Sequence, residues 1–173
     1  MLVGSTARIR NELIVHGEAT IAGQLIFGPS SSGNAMLRGA GDVILASSPV
    51  DMARVTIEGG SSLSIDPTIE IALVVGHGVI WRVGTGALLL VNRGTIRAGR
   101  AGDSAQLAIE IDELFNAGTI EASNSAIVAI RSADWSNTGT LRAISATLEL
   151  GGRFTTASVA GLDGAGGTVK VTG

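Results

Sequence analysis

Residues able to do acid–base or metal chemistry are few in this chain, with fifteen Asp and Glu, two His and no Cys among 173 residues. The one dense acidic run is Glu110-Ile111-Asp112-Glu113. In an extended strand, Glu110 and Asp112 share the outward face, and with a neighbouring turn they are candidate Ca2+ ligands. Polysaccharide hydrolysis would need two carboxylates about 5–9.5 Å apart, a separation that stacked strands could supply. The remaining acids argue for a plainer role. Asp42, Asp51, Asp66, Asp103, Asp134 and Asp163 stand beside Gly, Pro, Ser, Trp or Met in turn-like contexts, where Asp bonds to its own backbone. His16 and His77 are far apart, and Gly76-His77-Gly78 has the composition of a turn. No Gly-x-Ser-x-Gly elbow occurs, Ser30-Ser31-Ser32-Gly33 has the composition of a loop, and Gly161–Gly167 leads into a strand and not into the helix N-terminus that a phosphate site requires. The expectation is a protein that is not an enzyme, with no catalytic residue, no cofactor and no metal beyond the Glu110–Asp112 candidate.

Composition narrows the partners. Net charge is −3, and only Lys170 of the twelve basic residues is a lysine. Arg93, Arg97 and Arg100 are scattered along the sequence and not gathered into a basic face, so nucleic acid is not expected. The N-terminus has no basic segment followed by an apolar one, and no stretch approaches the ~18 apolar residues of a membrane span; membrane insertion is not expected, and export would require a signal outside this sequence. Apolar residues make up 45% but aromatic residues only 3%, so the core must be built from Ala, Val, Ile and Leu. Gly numbers 25 and Pro three, a ratio that fits short strands joined by tight turns.

The elements that would position these residues repeat. Leu90-Val91-Asn92-Arg93-Gly94-Thr95-Ile96-Arg97-Ala98 aligns without gaps with Leu114–Ala122 and with Trp135–Ala143, giving apolar-x-Asn-x-Gly-Thr-[Ile/Leu]-x-Ala. Ala165–Val171 is a degenerate fourth copy that lacks the Asn. Asn92, Asn116 and Asn137 stand 24 and then 21 residues apart, about one turn of a solenoid, and β-coils tolerate unequal spacing by bulging a loop. Strict alternation points Ile96, Ala98, Ile120, Ala122, Leu141 and Ala143 inward. Thr95, Arg97, Thr119, Glu121, Thr140 and Arg142 then point outward, and the stacked column Arg97, Glu121, Arg142 alternates in sign. The Asn residues are expected at corners, where Asn tolerates positive φ and where its amide can form a ladder from coil to coil. Gly94, Gly118 and Gly139 complete the corner, and Trp135 aligns with inward Leu90 and Leu114.

These repeats resemble those of large bacterial surface and exported proteins, namely filamentous-haemagglutinin-like adhesins and autotransporter passenger domains; Leu89–Ala98 and Gly164–Val171 carry the likeness, which covers roughly residues 75–173. The stretch Leu13–Phe27 is similar to bactofilins, cytoplasmic β-helices that polymerise end to end. The resemblance implies an all-β, right-handed parallel β-helix, and the repeat spacing sets it at about seven or eight coils, a single domain over 1–173 with clear repeats from 90 and weaker phasing over 1–89. It implies a non-catalytic structural or adhesive rod segment outside the cell or at its surface, with a host-surface or glycan ligand. The alternatives are a cytoplasmic self-polymerising scaffold and a carbohydrate-active β-helix. Without a capping helix, the solenoid ends are expected to stack on another copy or continue into a longer chain.

Overall fold

The computed structural model describes residues 2–28, 33–47, 51–100 and 104–172; Asp103 and Ser30–Ser32 lie outside them. The chain winds into a parallel β-solenoid with three faces. A partial turn, β1 (Leu2–Ile9), precedes a complete turn made by one bent strand, β2 (Glu12–Phe27). The second turn is β3 (Asn34–Ala46) with β4 (Ala53–Glu58), and the third is β5 (Ser62–Ile65) with β6 (Ile69–Val83). From there each face has its own strand: β7 (Leu89–Asn92), β8 (Thr95–Ala98) and β9 (Ala105–Glu110), then β10 (Glu113–Asn116), β11 (Thr119–Ser123) and β12 (Ile127–Ile130), then β13 (Asp134–Asn137), β14 (Thr140–Ile144) and β15 (Thr147–Leu150). A last partial turn carries a 3-10 turn at Thr156–Val159, β16 (Leu162–Asp163) and β17 (Thr168–Val171).

Every pairing between these strands is parallel and joins a strand to its counterpart one turn away; the third face, for example, runs β1, β2, β4, β6, β9, β12, β15, β17. That makes six complete turns with a partial turn at each end, slightly fewer than the seven or eight expected from the repeat. The difference has a local cause. The C-terminal register advances 21 residues per turn, as from Asn116 to Asn137, whereas Asn34 pairs with Ser62, 28 residues on, and Gln24 with Arg54, 30 on. The longer N-terminal turns use up chain that would otherwise have built another coil. Eight stacked strands on the third face span about 34 Å at ~4.8 Å each.

The interior is a set of apolar columns. Leu25, Val55, Ile80, Ile109, Ile130 and Leu150 stack in register, all of them buried. With rungs this close, each branched side chain packs on the one above and below, so Val, Ile and Leu fill most of the core, with Phe27 and Trp135 as its aromatic members. The six inward positions expected from the repeat are fully buried. Ala105, Leu107, Ile109 and Ile111 alternate inward as well, but the strand ends at Glu110 and Asp112 lies at the bend before β10.

Candidate functional site

The three repeat asparagines are inside the solenoid. Period two from Leu90, Leu114 and Trp135 turns them inward, and Asn92, Asn116 and Asn137 are almost completely buried. Their amides form the ladder expected of them: Asn92 Nδ2 donates to Asn116 Oδ1 at 2.7 Å, and Asn116 Nδ2 donates to Asn137 Oδ1 at 2.6 Å. The same nitrogens also reach backbone carbonyls, Asn92 that of Thr119 at 3.1 Å and Asn137 that of Ser158 at 3.0 Å. The ladder ends at Asn92 Oδ1, which has no donor because the residue stacked against it is Ile65.

The left-handed backbone expected of these asparagines is not adopted. Positive φ falls instead on Asn124 (53°) and Ser125 (64°) at the following corner, where Asn124 Nδ2 donates to Gly99 O at 2.6 Å. Gly94, Gly118 and Gly139 are required for a different reason, close approach of one turn to the next. A Cβ on Gly118 would lie 2.1 Å from Gly94 O, and one on Gly139 would lie 2.0 Å from Gly118 O. Thr95, Thr119 and Thr140 stack outward in register.

Beside this threonine column runs a charge ladder. Asp42 pairs with Arg100 at 2.8 Å, and Arg100 lies 3.8 Å from Glu70. Glu70 meets Arg97 at 3.5 Å, Arg97 meets Glu121 at 3.2 Å, Glu121 meets Arg142 at 3.4 Å, and Arg142 meets Asp163 at 3.2 Å. The predicted alternation of Arg97, Glu121 and Arg142 is thus the middle of a longer series. Glu121 differs from the expectation of an exposed residue: only 8% of its side chain is accessible, because the two arginine stems close over it from the turns on either side. The hydrogen bond to Asp42 raises the pKa of Arg100 above its ordinary value.

The candidate Ca2+ ligands are separated by the end of β9, and each has its own cation. Glu110 pairs with Arg131 at 3.2 Å and Asp112 with Arg82 at 3.2 Å, while Asp112 Oδ2 also accepts the Leu88 amide at 3.0 Å. Among the described residues no three His, Asp or Glu side chains gather as a metal site. Asp66 and Asp134 are likewise paired with arginine, Asp66 with Arg38 and Asp134 with Arg153, and Arg93 donates to Ser64 Oγ at 2.6 Å. His16 and His77 are both exposed, on different turns, and Gly76 beside His77 has a φ of 75° at a corner within β6. Trp135 is buried as expected; its indole N–H donates to Gly151 O at 2.8 Å and its ring stacks on Phe154 at 4.5 Å.

One feature was not anticipated by the sequence. A groove of about 460 Å³ lies on the outside of the third face, with Arg54, Trp81, Gln106, Glu110, Arg131 and Glu149 among its lining. Its floor is the outward column Val79, Ala108, Ala129. The sequence signal is faint, since two outward alanines one turn apart are visible only once the register of β9 and β12 is known.

No family model matches the chain, and neither a curated protein nor a solved structure matches it. Among the described residues no helix is long and apolar enough to cross a membrane.

Proposed function

We propose that this chain is a non-catalytic structural module of an extended β-solenoid rod, of the adhesive kind found outside the cell or at its surface. The observation that carries the reading is how the core fades at both ends. The partly buried apolar residues packed against it are Ala7, Ile9, Leu13 and Ala19 in the first turns and Phe154, Val159, Leu162 and Val169 in the last. Val171 continues the buried column above Leu150, yet it is 71% exposed. An apolar column that stops in water is completed by another turn, from the same chain or from a second copy.

A second reading, a cytoplasmic scaffold that polymerises end to end, draws on the same ends. Continuing the column places Val171 on Ala7 of the next copy, which stacks Lys170 on Thr6 and Thr172 on Arg8. A register shifted by two residues would instead stack Lys170 on Arg8, like charge on like. Protease digestion of intact against lysed cells separates the two settings, because a surface rod is cut in both and a cytoplasmic scaffold only after lysis. A carbohydrate-active reading has less support, since Glu110 and Asp112 are each held by an arginine. Sedimentation velocity across a concentration series tests the open ends in either setting. The chain is expected to sediment faster as concentration rises, and Val171→Lys to remain a monomer; a single unchanging species of the unaltered chain would overturn the reading.

A further inference from the structure

We infer that the groove on the third face binds a linear, uncharged oligosaccharide. Its lining runs from Arg54 in the second turn to Glu149 in the sixth, five rungs and about 19 Å along the axis. That length suits a chain of several sugar units better than a compact metabolite, and the volume is in the range of ligand sites. The floor, Val79, Ala108 and Ala129, is smooth and apolar, so C–H faces can lie on it. One wall carries Trp81, whose indole N–H is fixed to Thr56 Oγ1 at 2.9 Å, itself held by Gln24 Nε2 at 2.7 Å. The ring is therefore positioned before a ligand arrives, and its polar edge is already satisfied.

Charge and hydrogen bonding select the ligand class. The charged residues lining the groove are Arg54, Arg131, Glu110 and Glu149, two of each sign, which offers a polyanion or a polycation no net attraction. Their planar groups, with the amide of Gln106, supply donors and acceptors suited to hydroxyls. An extended peptide fits less well. The amides and carbonyls of the floor strands are used in ladders to the turns on both sides, so a peptide backbone laid across them would lose water without gaining partners.

The inference is independent of end-to-end assembly, and Val171→Lys is expected to bind as the unaltered chain does. The test is calorimetric titration with cellohexaose, maltohexaose and chitohexaose, with hexagalacturonate as the anionic comparator and glucose as the short one. At least one neutral hexasaccharide is expected to bind, at least about tenfold more tightly than glucose or hexagalacturonate, which is ~1.4 kcal/mol. Ala108→Gln, which fills the floor from outside the core, is expected to weaken binding at least about tenfold with the thermal midpoint unchanged. Gln106→Ala, at an exposed position, serves as the second variant and is expected to weaken it severalfold. Absence of binding by all three neutral hexasaccharides at millimolar concentration, equal affinity for hexagalacturonate, or full binding by both variants would overturn the inference.

Discussion

Asn116 is the middle member of the buried amide ladder. It accepts from Asn92 and donates to Asn137, so its removal breaks two buried bonds and strands a donor above one buried oxygen. An unmade buried bond costs ~1–3 kcal/mol per group. Asn116→Ala is therefore expected to destabilise by about 2–4 kcal/mol in urea denaturation, and Asn137→Ala by a similar amount, because Asn137 also donates to Ser158 O and accepts the Gly139 amide; a loss within ~0.5 kcal/mol at Asn116 would contradict the ladder. The sequence made this residue visible through its spacing and made its ladder predictable. It did not disclose the backbone, because Asn is tolerated both at positive φ and in a buried ladder, and only burial distinguishes them. Here the inward column took the repeat asparagines, and the left-handed corner went to Asn124 and Ser125.

At the scale of the strand and its corner, two kinds of stacking hold the turns in register. The Gly94, Gly118, Gly139 corner brings backbones closer than any Cβ allows. Gly118→Ala is expected to cost more than ~3 kcal/mol through forced separation of the turns, while Gly164→Ala, with nothing within 4 Å of its added methyl, is expected to stay within ~0.5 kcal/mol; a small loss at Gly118 would refute the close packing. The second kind is the charge ladder, where Glu121 serves two arginines at once. Glu121→Gln keeps the shape and removes the charge, so its expected cost is about 1–3 kcal/mol by thermal unfolding, partly discounted because both arginines reach solvent. The alternation of sign was legible from Arg97, Glu121 and Arg142 alone. The participation of Asp42, Glu70 and Arg100 was not, because the N-terminal turns change length and hide which residues stack; Asp163 was not, because the segment that reads as the fourth copy, Thr168–Val171, stacks on β15 of the third face and β16 takes the place above β14. The same irregularity of the N-terminal turns explains why the coil count came out high.

For the whole molecule, the interior is closed along its sides and open along its axis. Buried columns of Leu, Ile and Val run the length of the rod, and the partly buried apolar residues that pack against them lie in the terminal turns. The sides carry paired charges, which oppose lateral association, while the ends carry unpaired strand edges, which favour axial growth. Nothing in composition alone reveals such a division of surfaces, since it follows from winding one repeat into a stack. The central claim is that this stack continues beyond its last turn. Cryo-electron microscopy of the concentrated chain tests it most directly: the account predicts rods lengthened along the solenoid axis, with an unbroken ~4.8 Å rung spacing across each junction, and side-by-side pairs or single closed particles at every concentration would contradict it.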